Sequence, residues 1–386
     1  MEHACLCALW NSLAALFHPP FARTKRERSI RSEEFGDWMT MLALTKLKAG
    51  RGAVLKRVPI PRIAKDELLL KVTRASICGS DLPIYNWNSW APDRLTLPMT
   101  FGHEFCGVVA EMGSATRDFK KGDFVSVESH IYCGLCSQCR NGQRHVCRNL
   151  KIIGIDGPGG FAEYARVPAR CAWKHKDMSL AGVGSLMEPL GNAVYAALVE
   201  DLVGQSALVL GCGPQGLFAI ASAKAGGAKP IIAVEITPFR RKLAKKMGAD
   251  IVLDPRSKGV LEKIRKAAGE KGGVDAVLEM SGAPAAIELG LKAVRSGGRV
   301  VAFGIPSKRL QIDWANDIIF KGIRIYGIAG REIFNTWSRM DALLRSKAIR
   351  VESVITHRFS LKQFKKGFQV MNAKNKNCGK VVLEIG

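Results

Sequence analysis

A glycine-rich turn between a buried strand and a helix constrains the fold of this chain more than any other feature. The segment Gly211-Cys-Gly-Pro-Gln-Gly216 follows a short apolar run and precedes a helical stretch predicted over 217–225. In this pattern the first glycine allows a tight turn, the second lets the backbone approach a pyrophosphate, and the third lets helix and strand pack closely. The helix N-terminus presents free N–H groups to the phosphates. The motif therefore predicts that Gly211, Gly213 and Gly216 bind a dinucleotide.

Further strands and helices continue this pattern. Apolar segments that begin at residues 206, 231, 250, 274, 299 and 323 predict six strands with helices between several of them, which is a doubly wound parallel sheet. Glu235 ends the second strand, where its carboxylate would accept hydrogen bonds from both ribose hydroxyls and repel a 2′-phosphate. This favours NAD over NADP. Arg240 follows five residues later, and it either packs on the adenine or weakly favours a phosphate.

The pattern of apolar and polar residues changes along the chain of 386 residues and divides it into regions. Short alternating segments punctuated by prolines predict a β-rich, barrel-like region over 41–191, before the dinucleotide-binding domain at 192–335. Residues 336–386 are expected to return to the first domain. Residues 1–40 have no basic residue before their weakly apolar run, and they contain acidic residues, which argues against a targeting segment. We expect a disordered extension there, with Met41 as the alternative natural start.

Four of the eleven cysteines are bunched as Cys133-x2-Cys136-x2-Cys139-x7-Cys147. Four thiolates at this spacing suit a tetrahedral zinc ion that has no open position and holds a loop together. An iron–sulfur cluster is the alternative, because it also uses cysteines separated by two residues. Bunched thiols in a long chain indicate metal ligands in a reducing compartment, which predicts a cytoplasmic protein.

A second group of residues has the chemistry of a catalytic metal site. Cys78, His103 and Glu104 are ligand types of a zinc ion that keeps one position open for substrate. Glu188 stands just before the dinucleotide-binding domain, and we predict it as a catalytic residue or as a fourth, exchangeable ligand. The sequence leaves open whether Glu104 or Glu188 completes the site.

These motifs together resemble the zinc-containing medium-chain dehydrogenase/reductases, from Met41 to Gly386. The resemblance implies a GroES-like catalytic domain, a Rossmann domain, NAD, one catalytic and one structural Zn²⁺, and a homo-oligomer, often a tetramer. Segments such as Glu279-Met-Ser-Gly-Ala-Pro284 and Ile355-Thr-His-Arg-Phe359 are similar to the branch that oxidises L-threonine. This similarity implies oxidation of the threonine hydroxyl to 2-amino-3-oxobutanoate, with Ser80 taking the hydroxyl proton.

One position departs from the family pattern. Family members commonly have histidine two residues after the aspartate of the Cys-Gly-Ser-Asp segment, where it helps to carry the substrate proton to solvent. This chain has Pro83 there, which has no side-chain proton. A polyol or another secondary alcohol is therefore the alternative substrate.

The charge balance is strongly basic, with 58 Lys and Arg against 34 Asp and Glu, or +24. Such a chain attracts anions, including nucleotides, nucleic acid and anionic lipid. Because no aromatic-interleaved RNA-binding pattern or zinc-finger helix accompanies the charge, we interpret it as a solvated basic surface. A nucleotide-sensing or nucleic-acid-binding protein on the same scaffold is the remote alternative. No apolar run approaches the roughly 18–20 residues that span a bilayer.

Overall fold

The computed structural model describes residues 39–386, and Thr40–Gly386 form one compact unit. The expectation of a disordered extension therefore concerns residues that lie almost wholly outside the described part. The strands are β1 (Thr40–Lys46), β2 (Val54–Pro59), β3 (Glu67–Ile77), β4 (Met99–Thr100), β5 (Glu104–Met112), β6 (Phe124–Val127), β7 (His130–Ile131), β8 (Lys151–Ile152), β9 (Tyr164–Pro168), β10 (Ala172–Lys174), β11 (Ala207–Leu210), β12 (Ile231–Val234), β13 (Ile251–Leu253), β14 (Val274–Glu279), β15 (Val294–Ala302), β16 (Arg324–Gly327), β17 (Ile355–Ser360) and β18 (Lys380–Glu384).

The α-helices of the described residues are α1 (Asp81–Asn86), α2 (Ala91–Arg94), α3 (Ser137–Arg140), α4 (Met187–Ala197), α5 (Pro214–Ala225), α6 (Pro238–Met247), α7 (Val260–Ala268), α8 (Pro284–Ala293), α9 (Asn335–Arg345) and α10 (Phe364–Asn372). A π-helical segment, Trp314–Ile319, precedes β16. Within residues 39–386 no helix has both the length and the apolar character needed to cross a membrane.

Six parallel strands form the sheet predicted for the second half of the chain, in the order β13-β12-β11-β14-β15-β16. The central strands are buried on both faces because successive residues point to opposite sides. Val209 and Leu278 enter the core on one face, whereas Leu208 and Val277 enter the core on the other. The expected doubly wound Rossmann sheet is therefore confirmed.

A seven-stranded, largely antiparallel sheet combines strands from the first half of the chain with the last two strands, in the order β10-β6-β5-β3-β18-β17, with β9 also paired to β3. Its long central strand β3 pairs with β5 on one side and with β18 on the other. The final strand of the chain therefore lies in the first sheet, which supports the predicted return of residues 336–386. The division at residues 191 and 335 stays a prediction.

Candidate active site and metal sites

The predicted catalytic ligands meet where one strand ends and another begins. Cys78 follows the last residue of β3, and His103 and Glu104 stand at the start of β5. Antiparallel pairing opposes Ser76 to Glu104, so the two strand ends are held in register. One ligand atom from each of Cys78, His103 and Glu104 lies within 4.8 Å of the other two. Cys78 thus converges with two adjacent residues about 25 positions further along the chain on a volume the size of one ion.

One side of this group is open and the other is closed. His103 and Glu104 are buried, whereas Cys78 is partly exposed and Ser80 is exposed. The Ser80 hydroxyl lies 3.3 Å from His103 Nε2. A site with three ligand atoms and one accessible side is the arrangement that catalytic zinc requires, because substrate must reach the ion.

Asp81 orients two of the predicted ligands. Its Oδ2 accepts a hydrogen bond of 2.8 Å from the backbone N–H of Cys78, and its Oδ1 lies 3.4 Å from His103 Nδ1. Burial disfavours the imidazolium, but the Asp81 carboxylate and the Cys78 thiol raise the pKa of His103 well above its usual range. Because Asp81 engages Nδ1, the other ring nitrogen, Nε2, is directed toward Ser80 and the open side.

Glu104 forms a buried ion pair with a lysine from the last strand of the chain. Lys380 Nζ lies 2.5 Å from one carboxylate oxygen and also contacts the second, which Ser76 Oγ donates to as well. Although burial lowers it, the Glu104 carboxylate raises the pKa of Lys380 above its usual value. Both oxygens of Glu104 are therefore engaged before any metal binds.

Glu188 lies in the first turn of α4 and is not part of the group of three. Ser129 Oγ donates a 2.6 Å hydrogen bond to its Oε1, and Arg331 Nη1 lies 2.9 Å from the same oxygen. Despite its burial, the Arg331 and His103 charges lower the pKa of Glu188 to about 2. The structure thus keeps Glu188 ionised and electrostatically coupled to His103.

The four bunched cysteines converge on one point in the lobe around α3. Their sulfur atoms all lie within 4.8 Å of one another, and the Cys147 sulfur is 3.5 Å from that of Cys133 and 3.8 Å from that of Cys136. A tetrahedral zinc ion with Zn–S bonds of about 2.3 Å places its sulfurs about 3.8 Å apart. An iron–sulfur cluster needs more room, because its thiolates bind different irons. The spacing supports a single zinc ion.

Backbone amides stabilise the thiolate form of one cysteine in this lobe. The N–H groups of Leu135 and Cys136 donate to Cys133 Sγ at 3.4 and 3.3 Å. These bonds lower the pKa of Cys133 to about 6. Burial acts in the opposite direction on Cys139, whose pKa it raises to about 12. A bound cation would compensate that cost, since coordination stabilises the thiolate form.

The glycine turn has the geometry that the motif predicts. Gly211 has a φ of +84°, which is unfavourable for other residues, and a Cβ on Gly216 would collide with the Gly211 carbonyl. A Cβ on Gly213 would meet only Arg240, 3.8 Å away, so the backbone there is open to a ligand. The helix begins at Pro214 rather than at 217, because proline is favoured in a first helical turn.

Glu235 directly follows the next strand, β12, and its carboxylate is hydrogen-bonded to the glycine turn. Its two carboxylate oxygens accept hydrogen bonds from the N–H of Cys212 at 2.7 Å and from the N–H of Thr237 at 2.8 Å. Arg240 lies beside Gly213 and donates through Nε to the Cys378 carbonyl at 2.9 Å. Both side chains are therefore fixed at the carboxyl edge of the parallel sheet, where such folds bind nucleotides.

Fold and site together define an enzyme of the zinc alcohol dehydrogenase class. Residues 64–177 match the family model of the alcohol dehydrogenase GroES-like domain, and residues 214–346 match that of the zinc-binding dehydrogenases. The chain belongs to this family. It is 46% identical over 344 residues to the L-threonine 3-dehydrogenase of Bacillus velezensis, which is 89% of this chain and 98% of that protein.

Other relatives and solved structures of the family are also similar to this chain over most of their length. The L-threonine 3-dehydrogenase of Pyrococcus horikoshii is 46% identical over 346 residues, covering 89% of this chain and 99% of that protein. A zinc-binding dehydrogenase from Sinorhizobium meliloti, solved with NADP, has a TM-score of 0.82 at 31% identity, with 90% and 100% coverage. The 2R,3R-butanediol dehydrogenase of Bacillus subtilis has a TM-score of 0.81 at 29% identity, with 89% and 99% coverage. The predicted family is confirmed.

The sequence analysis did not predict the residues that support the ligands. Asp81 belongs to the Cys-Gly-Ser-Asp segment, so its position three residues after a ligand was a usable signal. Lys380 and Arg331 gave none, because basic residues are mostly exposed in folded proteins and both lie far along the chain from the carboxylates they pair with. Their burial became visible only in the folded chain.

Proposed function

We propose that this chain oxidises the secondary hydroxyl of L-threonine with NAD⁺, giving 2-amino-3-oxobutanoate, NADH and a proton. The convergence of Cys78, His103 and Glu104 beside an accessible serine carries the proposal, since this geometry suits activation of an alcohol. The threonine assignment is supported by the relatives of 44–46% identity that bear this activity in their names.

The site residues fit a zinc ion in their donor types and spacing. When bound there, zinc supplies a Lewis acid that lowers the pKa of a substrate hydroxyl. Cys78 and His103 would hold it, with Glu104 or Glu188 as the carboxylate. The Ser80 hydroxyl stands on the open side, where it accepts the substrate proton. Asp81 keeps the His103 ring oriented during this transfer.

The cofactor is proposed to be NAD. Gly213 leaves the backbone open to the pyrophosphate, and the N-terminus of α5 directs its N–H groups there. Glu235 places a negative charge at the edge where the adenosine ribose binds in Rossmann folds, and this charge opposes a 2′-phosphate. The S. meliloti relative was solved with NADP, so the comparison of the two cofactors is part of the test.

Polyol oxidation is the second candidate. Pro83 removes the family's usual relay group, so in this chain the proton passes from Ser80 to water, to the cofactor ribose or to another group. Dehydrogenases of butanediol and of galactitol 1-phosphate share the fold, at 29% and 27% identity. Rates with threonine, sorbitol, xylitol and butane-2,3-diol, each with NAD⁺ and NADP⁺, separate the candidates. Threonine with NAD⁺ must give the highest kcat/KM.

Replacing Cys78 with Ser should abolish turnover and leave NADH binding nearly intact. The reason is that the substitution removes one catalytic ligand without touching the glycine turn. Metal content should fall from two zinc ions per chain to one. The matched control Cys139→Ser removes one zinc from the other site and should reduce stability. Normal turnover by the Cys78→Ser protein would refute the assignment.

We also propose a homo-oligomer and a reducing compartment. The sheet ends in an exposed edge strand, β16, and large apolar side chains are exposed in and just before it, at Trp314, Ile319, Phe320 and Ile325.

The nine cysteines of the described residues are free thiols, and four of them form the proposed zinc site, as expected in the cytoplasm. The proposed partner is a small-molecule substrate, as for the L-threonine 3-dehydrogenase relatives.

A further inference from the structure

A single arginine connects the Glu188 carboxylate to the carboxylate of Glu128, which directly follows β6. The Arg331 side chain is fully buried. Its Nε donates to Glu128 Oε2 at 2.8 Å, and its Nη1 lies 2.9 Å from Glu188 Oε1 and 3.0 Å from Asn192 Oδ1. One cation thus lies between two buried carboxylates that stand 60 positions apart in the sequence.

The Glu128 end of this network is buried, and both of its oxygens accept hydrogen bonds. Besides Arg331, the Glu128 carboxylate accepts hydrogen bonds from Trp337 Nε1 at 2.7 Å and from the His130 backbone N–H at 2.9 Å. Gly191 faces the arginine, and a Cβ there would lie 2.5 Å from Arg331 Cδ, so the helix leaves room for this side chain. A fully hydrogen-bonded, fully buried Glu128 anchors the arginine and has no capacity left for chemistry.

The Glu188 end is asymmetric. Its Oε1 is held by both Ser129 and Arg331. Among residues 39–386 no group donates a hydrogen bond to Oε2. The Glu188 side chain retains 8% exposure, whereas Glu128 and Arg331 retain none. One oxygen of Glu188 is therefore fixed by the protein, and the other is available.

We propose that Arg331 is a positioning residue that fixes Oε1 of Glu188 and so leaves Oε2 for the ion or the substrate beside His103. This inference rests on the role proposed above for Glu188. Without the guanidinium, Glu128 and Glu188 would be two buried like charges with no shared counter-ion, and Glu188 would lose its orientation. Arg331 acts through Glu188 and touches no substrate.

Arg331→Lys tests the proposal, because lysine keeps the charge but loses the planar fork that contacts both carboxylates. We expect kcat with threonine to fall about 10–100-fold, the range for loss of an outer-shell partner, with KM for NAD⁺ unchanged. The same substitution in a Glu188→Gln background should change kcat no further. Zn²⁺ affinity, measured by chelator competition, should follow the same pattern and needs no turnover.

Arg299→Lys is the matched control, since Arg299 is a buried arginine that pairs with Glu200 away from the site. It should lower the melting temperature without changing kcat. An equal effect of Arg331→Lys in both backgrounds overturns the positioning role, whereas full activity of Glu188→Gln alone overturns the role of Glu188. If Arg331→Lys does not fold, Arg331→Gln takes its place under the same criteria, and Ser129→Ala, which keeps the Arg331 contact to Oε1, should lose less activity than it. An equal loss in both variants overturns the proposal.

Discussion

At the scale of single residues, the sequence predicts the metal ligands of the site, but it does not predict the charged residues that hold those ligands in place. Cysteine, histidine and glutamate are recognisable as ligand types, so Cys78, His103 and Glu104 were predictable as a group. Lys380 was not, because 276 positions separate it from Glu104 and a lysine in a strand is usually exposed. Pairing of a buried charge is a property of the folded chain, and no local pattern encodes it.

Substitution of Asp81 tests whether this residue orients His103. Asp81→Asn keeps the size of the side chain but removes the negative charge beside His103 Nδ1, which fixes the ring orientation. We expect activity and zinc affinity to fall about 10–100-fold, as for other groups that orient a ligand histidine. Steady-state rates and zinc competition with a chelator measure both.

Asp341→Asn serves as its control, because Asp341 pairs with His175 at 3.6 Å in a similar way, away from the proposed catalytic ligands. That variant should retain the activity of the unmodified protein. Unchanged zinc affinity in Asp81→Asn would contradict the orienting role.

At the scale of elements, strand periodicity and the glycine motif were sufficient for the Rossmann half. Strands β11 and β12 are apolar at every position, and every residue of β14 is buried, which only a sheet covered on both faces accommodates. The antiparallel half was predicted only as β-rich, since its strand order depends on pairs far apart in sequence. The joining of β18 to β3 is such a pair, and it brings Lys380 to the site.

The contact between His175, just after β10, and Asp341 of α9 predicts that the free energy of unfolding depends on pH. His175, just after β10, is buried against Ser126 and Asp341, and burial lowers its pKa to about 4. The unfolded chain takes up a proton near pH 6.5, whereas the folded chain resists it until about pH 4. The unfolding free energy should therefore fall as pH drops through this window, by about 3 kcal/mol at most.

Melting temperatures between pH 7 and 4 check this expectation against His175→Gln, which is neutral throughout and should show a flatter dependence. His357→Gln, on the partly exposed β17, is the control and should keep the slope of the unmodified protein. Parallel slopes for all three proteins would rule out His175 as the source.

At the scale of the whole molecule, the β16 edge of the six-stranded sheet, to which no other strand of residues 39–386 pairs, is the feature that the single chain does not explain. Edge strands that remain free are usually protected by charge, proline or a covering segment. Here β16 and the segment before it expose Trp314 at 63%, Ile319 at 59%, Phe320 at 77% and Ile325 at 46%. Apolar exposure beside a free backbone edge indicates a surface that another chain covers.

A second copy of this chain fits that edge, because a twofold axis beside β16 would pair the strand with itself and bring the same apolar residues together. Phe320→Glu should therefore convert the assembly to smaller species, since it places two like charges at the axis. Light scattering after size exclusion measures the mass. Val203→Glu is the control, as Val203 is 70% exposed but lies outside this segment, and it should leave the mass unchanged. A monomeric unmodified protein would contradict the pairing.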